Sequence, residues 1–346
     1  MLLKDYEPRS CLEVVAHDVT RPCRPAFDFH MHWGEMLLGT DYASQYRTAD
    51  AVASIQAHGI MGCVNLCGFW GDRLKRMLDK TGHHLDFVKT FGTVDVSRLE
   101  EPDWERSVYQ TIRDSADAGM TGMKFWKFIS LGLKDKSGRY IAIDDPRLQV
   151  IWQTAAAFSL PVLIHIADPV AFFTPVDRYN ERWDQLGEHP DWSFCAPGLY
   201  TFQELMEQQD NLLSRNRDTT FVVAHVGSYS ENLAWVGDQL DRHPNMHIDI
   251  AARISELGRQ PYTARAFLTR YADRVLFGTD FTPVRHCDYP HHYRFLETFD
   301  EHFPYDSYPI PEHGRWCIYG VGLDEDTLDK IYYQNAAKLL RWEVTP

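Results

Sequence analysis

The chain has 346 residues, of which 44% are hydrophobic and 24% charged, and a formal net charge of −14. That balance describes a soluble globular protein with room for a substantial core, and the acidic surplus disfavours nucleic acid and anionic membrane surfaces as partners. The first residues, Met1 to Pro8, lack the apolar core of a signal peptide, and no later run approaches a membrane span.

The first strand is Phe27-Asp28-Phe29-His30-Met31-His32, where a period of two puts Asp28, His30 and His32 on one face and Phe27, Phe29 and Met31 on the other. Two imidazoles one residue apart on a strand lie close enough to hold one metal ion. Helical spacing follows over 48–58, from a Thr48 N-cap to a stop at Gly59. The apolar run 61–66 is a second strand, with Cys63 and Cys67 as packing residues. A charged helix over 71–81, a strand within 85–96 and a helix over 104–118 come next. A fourth strand, 121–126, carries Lys124 and leads into an irregular insertion over 127–145. After a helix over 146–158, the strand 160–165 ends in His165. A long aromatic insertion, 166–200, precedes a helix over 202–216, and the strand 220–225 ends in His225. Helix 230–242, strand 246–250, helix 261–271 and strand 274–280, ending in Asp280, complete the alternation.

Eight apolar strands separated by helix-length segments predict an α/β fold, a single-domain (β/α)8 TIM barrel over 1–346. Its barrel core spans about 27–300, its long loops follow strands 4 and 5, and a closing helix covers about 324–341. A doubly wound open sheet is the alternative, and it lacks a Gly-rich phosphate loop after the first strand. Seven scattered cysteines, Cys287 among them, point to reduced thiols and a cytoplasmic location.

Barrels carry their active sites at the C-terminal ends of the strands, and His32, His165, His225 and Asp280 all fall there. Three histidines and a carboxylate suit a catalytic zinc-type site that keeps one position open; the other reading is barrel-mouth histidines satisfied by hydrogen bonds. His243 and His247 read as structural, and His83, His84, His291 and His292 as solvated surface. Arg253, just past the seventh strand, suits bidentate binding of a substrate carboxylate, or alternatively a salt bridge to Glu256. Arg259 and Lys127 are candidates of the same kind, and Trp33 is a further substrate-binding candidate. The aromatic insertion either walls an apolar or aromatic pocket or packs a subunit interface of a homodimer.

The order and spacing of Asp28-Phe-His30-Met-His32, Gly122-Met-Lys124, Leu163-Ile-His165, Ala224-His225-Val-Gly227 and Leu276-Phe-Gly-Thr-Asp280, with the tail Lys330 to Leu340, resemble the amidohydrolase superfamily, in particular its amidohydrolase-related branch. That resemblance implies a divalent cation, one zinc, held by His30, His32, His165 and Asp280, with His225 beside the bound water or substrate oxygen. Asp280 would act as general base and then acid, and His225 would stabilise charge on the attacked oxygen. In some members a lysine at the position of Lys124 is carboxylated and bridges two metals, which His165 and His225 would then share. A single ion is expected here, with Lys124 unmodified and pointing to a polar neighbour. The implied activity is metal-dependent hydrolysis of an amide, ester or lactone bond in a small, carboxylate-bearing molecule. Non-oxidative decarboxylation of a hydroxylated aromatic or unsaturated acid is the alternative, and a barrel retained as a binding protein is a third reading.

Overall fold

Eight strands run parallel in chain order: β1 Ala26–Met31, β2 Ile60–Phe69, β3 Val88–Gly92, β4 Gly122–Phe125, β5 Val162–Ile164, β6 Phe221–Val223, β7 Met246–Asp249 and β8 Val275–Leu276. The computed structural model describes residues 5–6, 10–285 and 288–342, so Cys287 lies outside the described residues. Helices alternate with the strands at Thr48–Ala57, Gly71–Thr81, Trp104–Asp117, Gln149–Ala157, Phe202–Arg215, Leu233–Arg242 and Pro261–Arg270. Local chemistry sets these starts and stops. The Thr201 hydroxyl and the Glu204 carboxylate, for example, form a reciprocal capping box that opens Phe202–Arg215.

The β8 ladder is shorter than the apolar run 274–280 predicts, because residues past Leu276 turn to β1 and complete the ring. Phe29 N–H donates to the Phe277 carbonyl at 2.9 Å, and Asp280 N–H to the His30 carbonyl at 2.8 Å. Farther on, His32 N–H donates to the Phe281 carbonyl at 2.8 Å. The result is the (β/α)8 barrel that the alternation predicts.

Two apolar layers follow from the strand pleat. Alternate residues, including Phe27, Phe29, Val64, Leu66, Phe91, Leu163, Val222 and Leu276, fill the interior. Their neighbours, such as Cys63, Met123, Ile164, Val223 and Ile248, pack outward against Ile55, Met77, Ile112 and Trp152 of the helices. The floor is plugged from the C-terminal segment, where Trp342 lies 5.1 Å from Phe27, centroid to centroid. The predicted closing helix is broken into Glu325–Asp329, a π-turn over Lys330–Gln334, and Asn335–Leu340. The Asn335 side chain holds it by donating to the Ala272 and Val275 carbonyls, each at 2.7 Å.

One sequence expectation fails at β1. The register shifts between Asp28 and Met31, so the simple alternation does not continue through the strand. Phe27 and Phe29 both join the interior layer, whereas Met31 joins the outer one. Asp28 therefore does not share a face with His30. It accepts from Thr279 N–H at 3.1 Å, Thr279 Oγ1 at 2.5 Å, Tyr289 OH at 2.7 Å and His30 N–H at 3.0 Å. Burial pushes its carboxyl up to about 7, against the pull of those four bonds.

Removing this acceptor orphans several buried donors, each costing about 1–3 kcal/mol. Asp28→Ala is expected to lower unfolding stability by about 3 kcal/mol or more, read from denaturant midpoints; a loss below about 1 kcal/mol would show that the network does not tie β1 to the segment after β8.

Candidate metal centre

The strand ends bring His30, His225 and Asp280 together so that one ligand atom from each lies within 4.8 Å of the others. His32 joins them through Nε2, 2.9 Å from Asp280 Oδ1, while His30 Nε2 stands 3.4 Å from the same oxygen. Three of the connections here demand left-handed backbone from residues that are not glycine: His225 (φ 58°), Ala252 (φ 52°) and Asp280 (φ 72°). Such conformations cost on the order of 1–3 kcal/mol each and persist where the surroundings impose them.

Asp249, on β7, is the organising carboxylate that sequence reasoning passed over. Its Oδ2 lies 2.8 Å from His30 Nδ1, and its Oδ1 accepts from the backbone N–H of His225 at 2.8 Å and of Ala251 at 3.1 Å. A charged residue inside the apolar run Met246-His-Ile-Asp-Ile was the available signal. With Nδ1–H given to Asp249, His30 presents its Nε2 lone pair; that atom is buried with no hydrogen-bond partner. His225 likewise gives Nδ1–H to the Ala251 carbonyl at 2.9 Å, leaving Nε2 an acceptor. Burial, with cationic and imidazole neighbours, holds both rings well below the usual imidazole range, hence neutral. Burial would raise the Asp280 carboxyl, but the surrounding imidazoles hold it well below the usual carboxylate range. Neutral nitrogens and an ionised carboxylate converging on one point are the donor set of a divalent cation, and these residues fit it.

His165 packs edge-on against His225, with 4.4 Å between ring centroids. Its Nε2 lies 3.1 Å from Asp168 Oδ1, and Lys127 Nζ pairs with the other Asp168 oxygen. Lys127 is thereby spent within the protein, as is Arg259, which pairs with Glu181 at 2.9 Å. Lys124 is fully buried, and its Nζ, instead of meeting a polar neighbour, has no hydrogen-bond partner and sits 4.4 Å from the Trp126 ring centroid. Burial lowers it to about 8, with Asp280 and Asp249 opposing the drop. Trp126 also stacks on His32 at 5.1 Å.

Arg253 is buried and makes no ion pair among the described residues; Nη1 donates to the Ala252 carbonyl at 2.6 Å. The salt bridge to Glu256 is absent because Glu256 is taken by the buried Arg182. Trp33 is fully buried, edge-on to Tyr46 at 5.6 Å. In the aromatic insertion Phe172 is buried, Phe173 packs against Phe194 and Phe202, and Tyr179 is exposed. His292, expected at the surface, is buried in the helix Tyr289–Glu297 against Phe277 and Phe281.

Residues 27–342 match the family model described as Amidohydrolase. None of the curated proteins matches. Among solved structures, the chain resembles 2,6-dihydroxybenzoate decarboxylase from Rhizobium at 15% identity and a TM-score of 0.57, over 92% of this chain and 99% of that one. A 2,6-dihydroxybenzoate decarboxylase complexed with 2,6-dihydroxybenzoate gives 0.56 at 15% identity, over 92% and 99%. A protein described as a probable 2-pyrone-4,6-dicarboxylic acid hydrolase from Acinetobacter baumannii, with citric acid bound, gives 0.52 at 11% identity, again over 92% and 99%. At these identities the likeness is one of fold.

The Arg182–Glu256 pair beside the site has a pH signature. Burial alone would raise the Glu256 carboxyl, but Arg182 outweighs it and holds it at about 2, against an ordinary 4.5. A depressed carboxyl stabilises the fold above its unfolded value, and that contribution fades as pH falls from about 4.5 through about 2. Glu256→Gln is expected to lose about 3–5 kcal/mol near pH 7, with the gap to the parent protein narrowing towards about pH 3 in urea titrations; a gap independent of pH would overturn the assignment.

Proposed function

The chain belongs to the amidohydrolase family, and from that premise we propose that it is a hydrolase acting on an amide, ester or lactone bond of a small carboxylate-bearing molecule, with one divalent cation, zinc, as cofactor. The observation that carries this reading is the pair of tautomers fixed from behind. Asp249 takes His30 Nδ1–H and Ala251 takes His225 Nδ1–H, so two neutral Nε2 atoms meet the Asp280 carboxylate. We assign the cation to His30, His32, His225 and Asp280. When bound, such a cation supplies Lewis acidity, polarising a substrate oxygen and lowering the pKa of a water.

The chain's own groups do the rest. The Asp280 side chain keeps 29% exposure beside imidazoles at 1% and 3%, so it can take a proton from the attacking water and return it to the leaving group. His225 offers an acceptor nitrogen, which suits a ligand better than a donor to a developing oxyanion. The unpaired guanidinium of Arg253 orients the substrate carboxylate. No helix among the described residues is long and apolar enough to cross a membrane, and six described cysteines are free, which supports a cytoplasmic setting.

Non-oxidative decarboxylation of an aromatic acid is the second reading. A cleft of about 350 Å³ favours it, bounded by Phe69, Phe128 and Trp126, whose ring stacks on His32. Water labelled with heavy oxygen decides between the two: hydrolysis places the label in a product acid, whereas decarboxylation releases carbon dioxide and leaves a product without it.

Elemental analysis of the purified protein should give one zinc per chain. His30→Asn and His225→Asn should each lose it, and His165→Asn should retain it; metal retained without His30 and His225 but lost without His165 would refute the ligand set. Arg253→Ala should keep its metal and lose about ten- to a hundredfold in kcat/KM on carboxylate substrates, with neutral analogues changed by less than about threefold. An equal loss on both kinds of substrate would remove Arg253 from carboxylate binding.

A further inference from the structure

Above β7 a chain of hydrogen bonds runs from the barrel wall to the segment that folds over the mouth. Arg182 of the aromatic insertion pairs with Glu256 Oε1, and both residues are buried. The other oxygen of Glu256, Oε2, lies 2.7 Å from Ser255 Oγ, and the same Oγ lies 2.7 Å from His313 Nδ1. Tyr305 stacks on the His313 ring at 5.8 Å, its hydroxyl accepts the His313 backbone N–H at 3.1 Å, and Trp316 Nε1 donates to the Ser255 carbonyl at 3.1 Å. The ring is thus fixed by Ser255 and Tyr305, and its backbone by the Tyr305 hydroxyl.

Proton counting fixes its tautomer. An ionised Glu256 is acceptor-only, so the single hydroxyl proton of Ser255 goes to Glu256. Ser255 Oγ then has only lone pairs for His313, so Nδ1 carries the proton and Nε2 does not. His313 is partly exposed, and its Nε2 makes no hydrogen bond to another described residue. Burial, with Arg182 close by, pushes the ring down to about 3, and its partner Ser255 lies two residues along the chain from Arg253. None of this was legible in the sequence, where Ser255, Glu256 and His313 are separated by 58 residues at the widest.

We propose that His313 is a substrate-recognition residue: the Glu256–Ser255 relay locks its Nε2 as a hydrogen-bond acceptor, while Arg253 takes the anionic end, so that the site selects a carboxylic acid carrying a hydroxyl or N–H donor. The proposal rests on the assignment of Arg253 to a substrate carboxylate, and it narrows the substrate class from carboxylates to donor-bearing carboxylates. A buried or fixed acceptor discriminates strongly against an analogue that lacks the donor, because the acceptor is then desolvated without a partner.

Nitrogen-15 NMR of the full-length protein tests the lock without turnover. The His313 signals are identified by their absence in His313→Leu. Near pH 7 they should show a protonated Nδ1 and a bare Nε2, and Ser255→Ala should abolish that fixed pattern; an Nε2–H tautomer or an imidazolium would overturn the relay. Titration with 3-hydroxybenzoate and 4-hydroxybenzoate, against benzoate, tests recognition. At least one hydroxylated acid should move the Nε2 resonance and bind about tenfold more weakly to His313→Leu, with benzoate affinity unchanged within about twofold. No shift with any of the three, or equal shifts with all, would overturn the recognition role. Zinc content and heavy-oxygen incorporation are read separately, so failure of the hydrolytic reading is distinguishable from failure of this one.

Discussion

Asp249 makes three bonds that no other residue could replace together: to the His30 ring and to the backbone N–H groups of His225 and Ala251. Each bond serves a different strand end. The first sets the tautomer of a ligand on β1, the second holds the left-handed turn after β6, and the third shapes the bend that presents Arg253. Burial pushes the Asp249 carboxyl up from its ordinary value, with His225 the first group to oppose it. The centre is therefore built around a carboxylate that is costly to bury and that every neighbouring element satisfies.

Much of this arrangement was readable in advance. Alternation of apolar runs with helical spacing gave the barrel, and the strand-end rule picked out His32, His165, His225 and Asp280 from 16 histidines and many acids. What escaped was set by geometry that composition does not encode. A period of two cannot foresee the register shift in β1 that sends Asp28 outward to Thr279 and Tyr289 while His30 turns to Asp249. Nor could it show that Asp168 claims His165, since a residue three positions along lies in a loop whose path follows from tertiary packing. Arg253 had two readings of equal standing, and the unforeseen Arg182 decided between them by occupying Glu256.

The overall charge and the local field point in opposite directions. A chain of net charge −14 concentrates Lys124, Lys127, Arg182 and Arg253 at the C-terminal ends of its strands, and two of these, Lys127 and Arg182, are matched to buried carboxylates. Lys124 and Arg253 are not. An acidic surface repels anions at long range, screened beyond about 10 Å at 0.1 M salt, whereas two unmatched cations in a low-dielectric mouth attract them at close quarters.

The left-handed residues at the ends of β6, β7 and β8 set a boundary on how this barrel can be improved. Selection for heat tolerance alone would favour glycine at Ala252, where the backbone conformation is one that glycine adopts freely. Ala252 lies just past β7, between the Ala251 carbonyl that holds the His225 ring and Arg253. Relief of strain there would also free the arc that aims both. Thermostability and catalytic competence are in this protein drawn from the same few torsion angles, so a screen that scores only the first will erode the second.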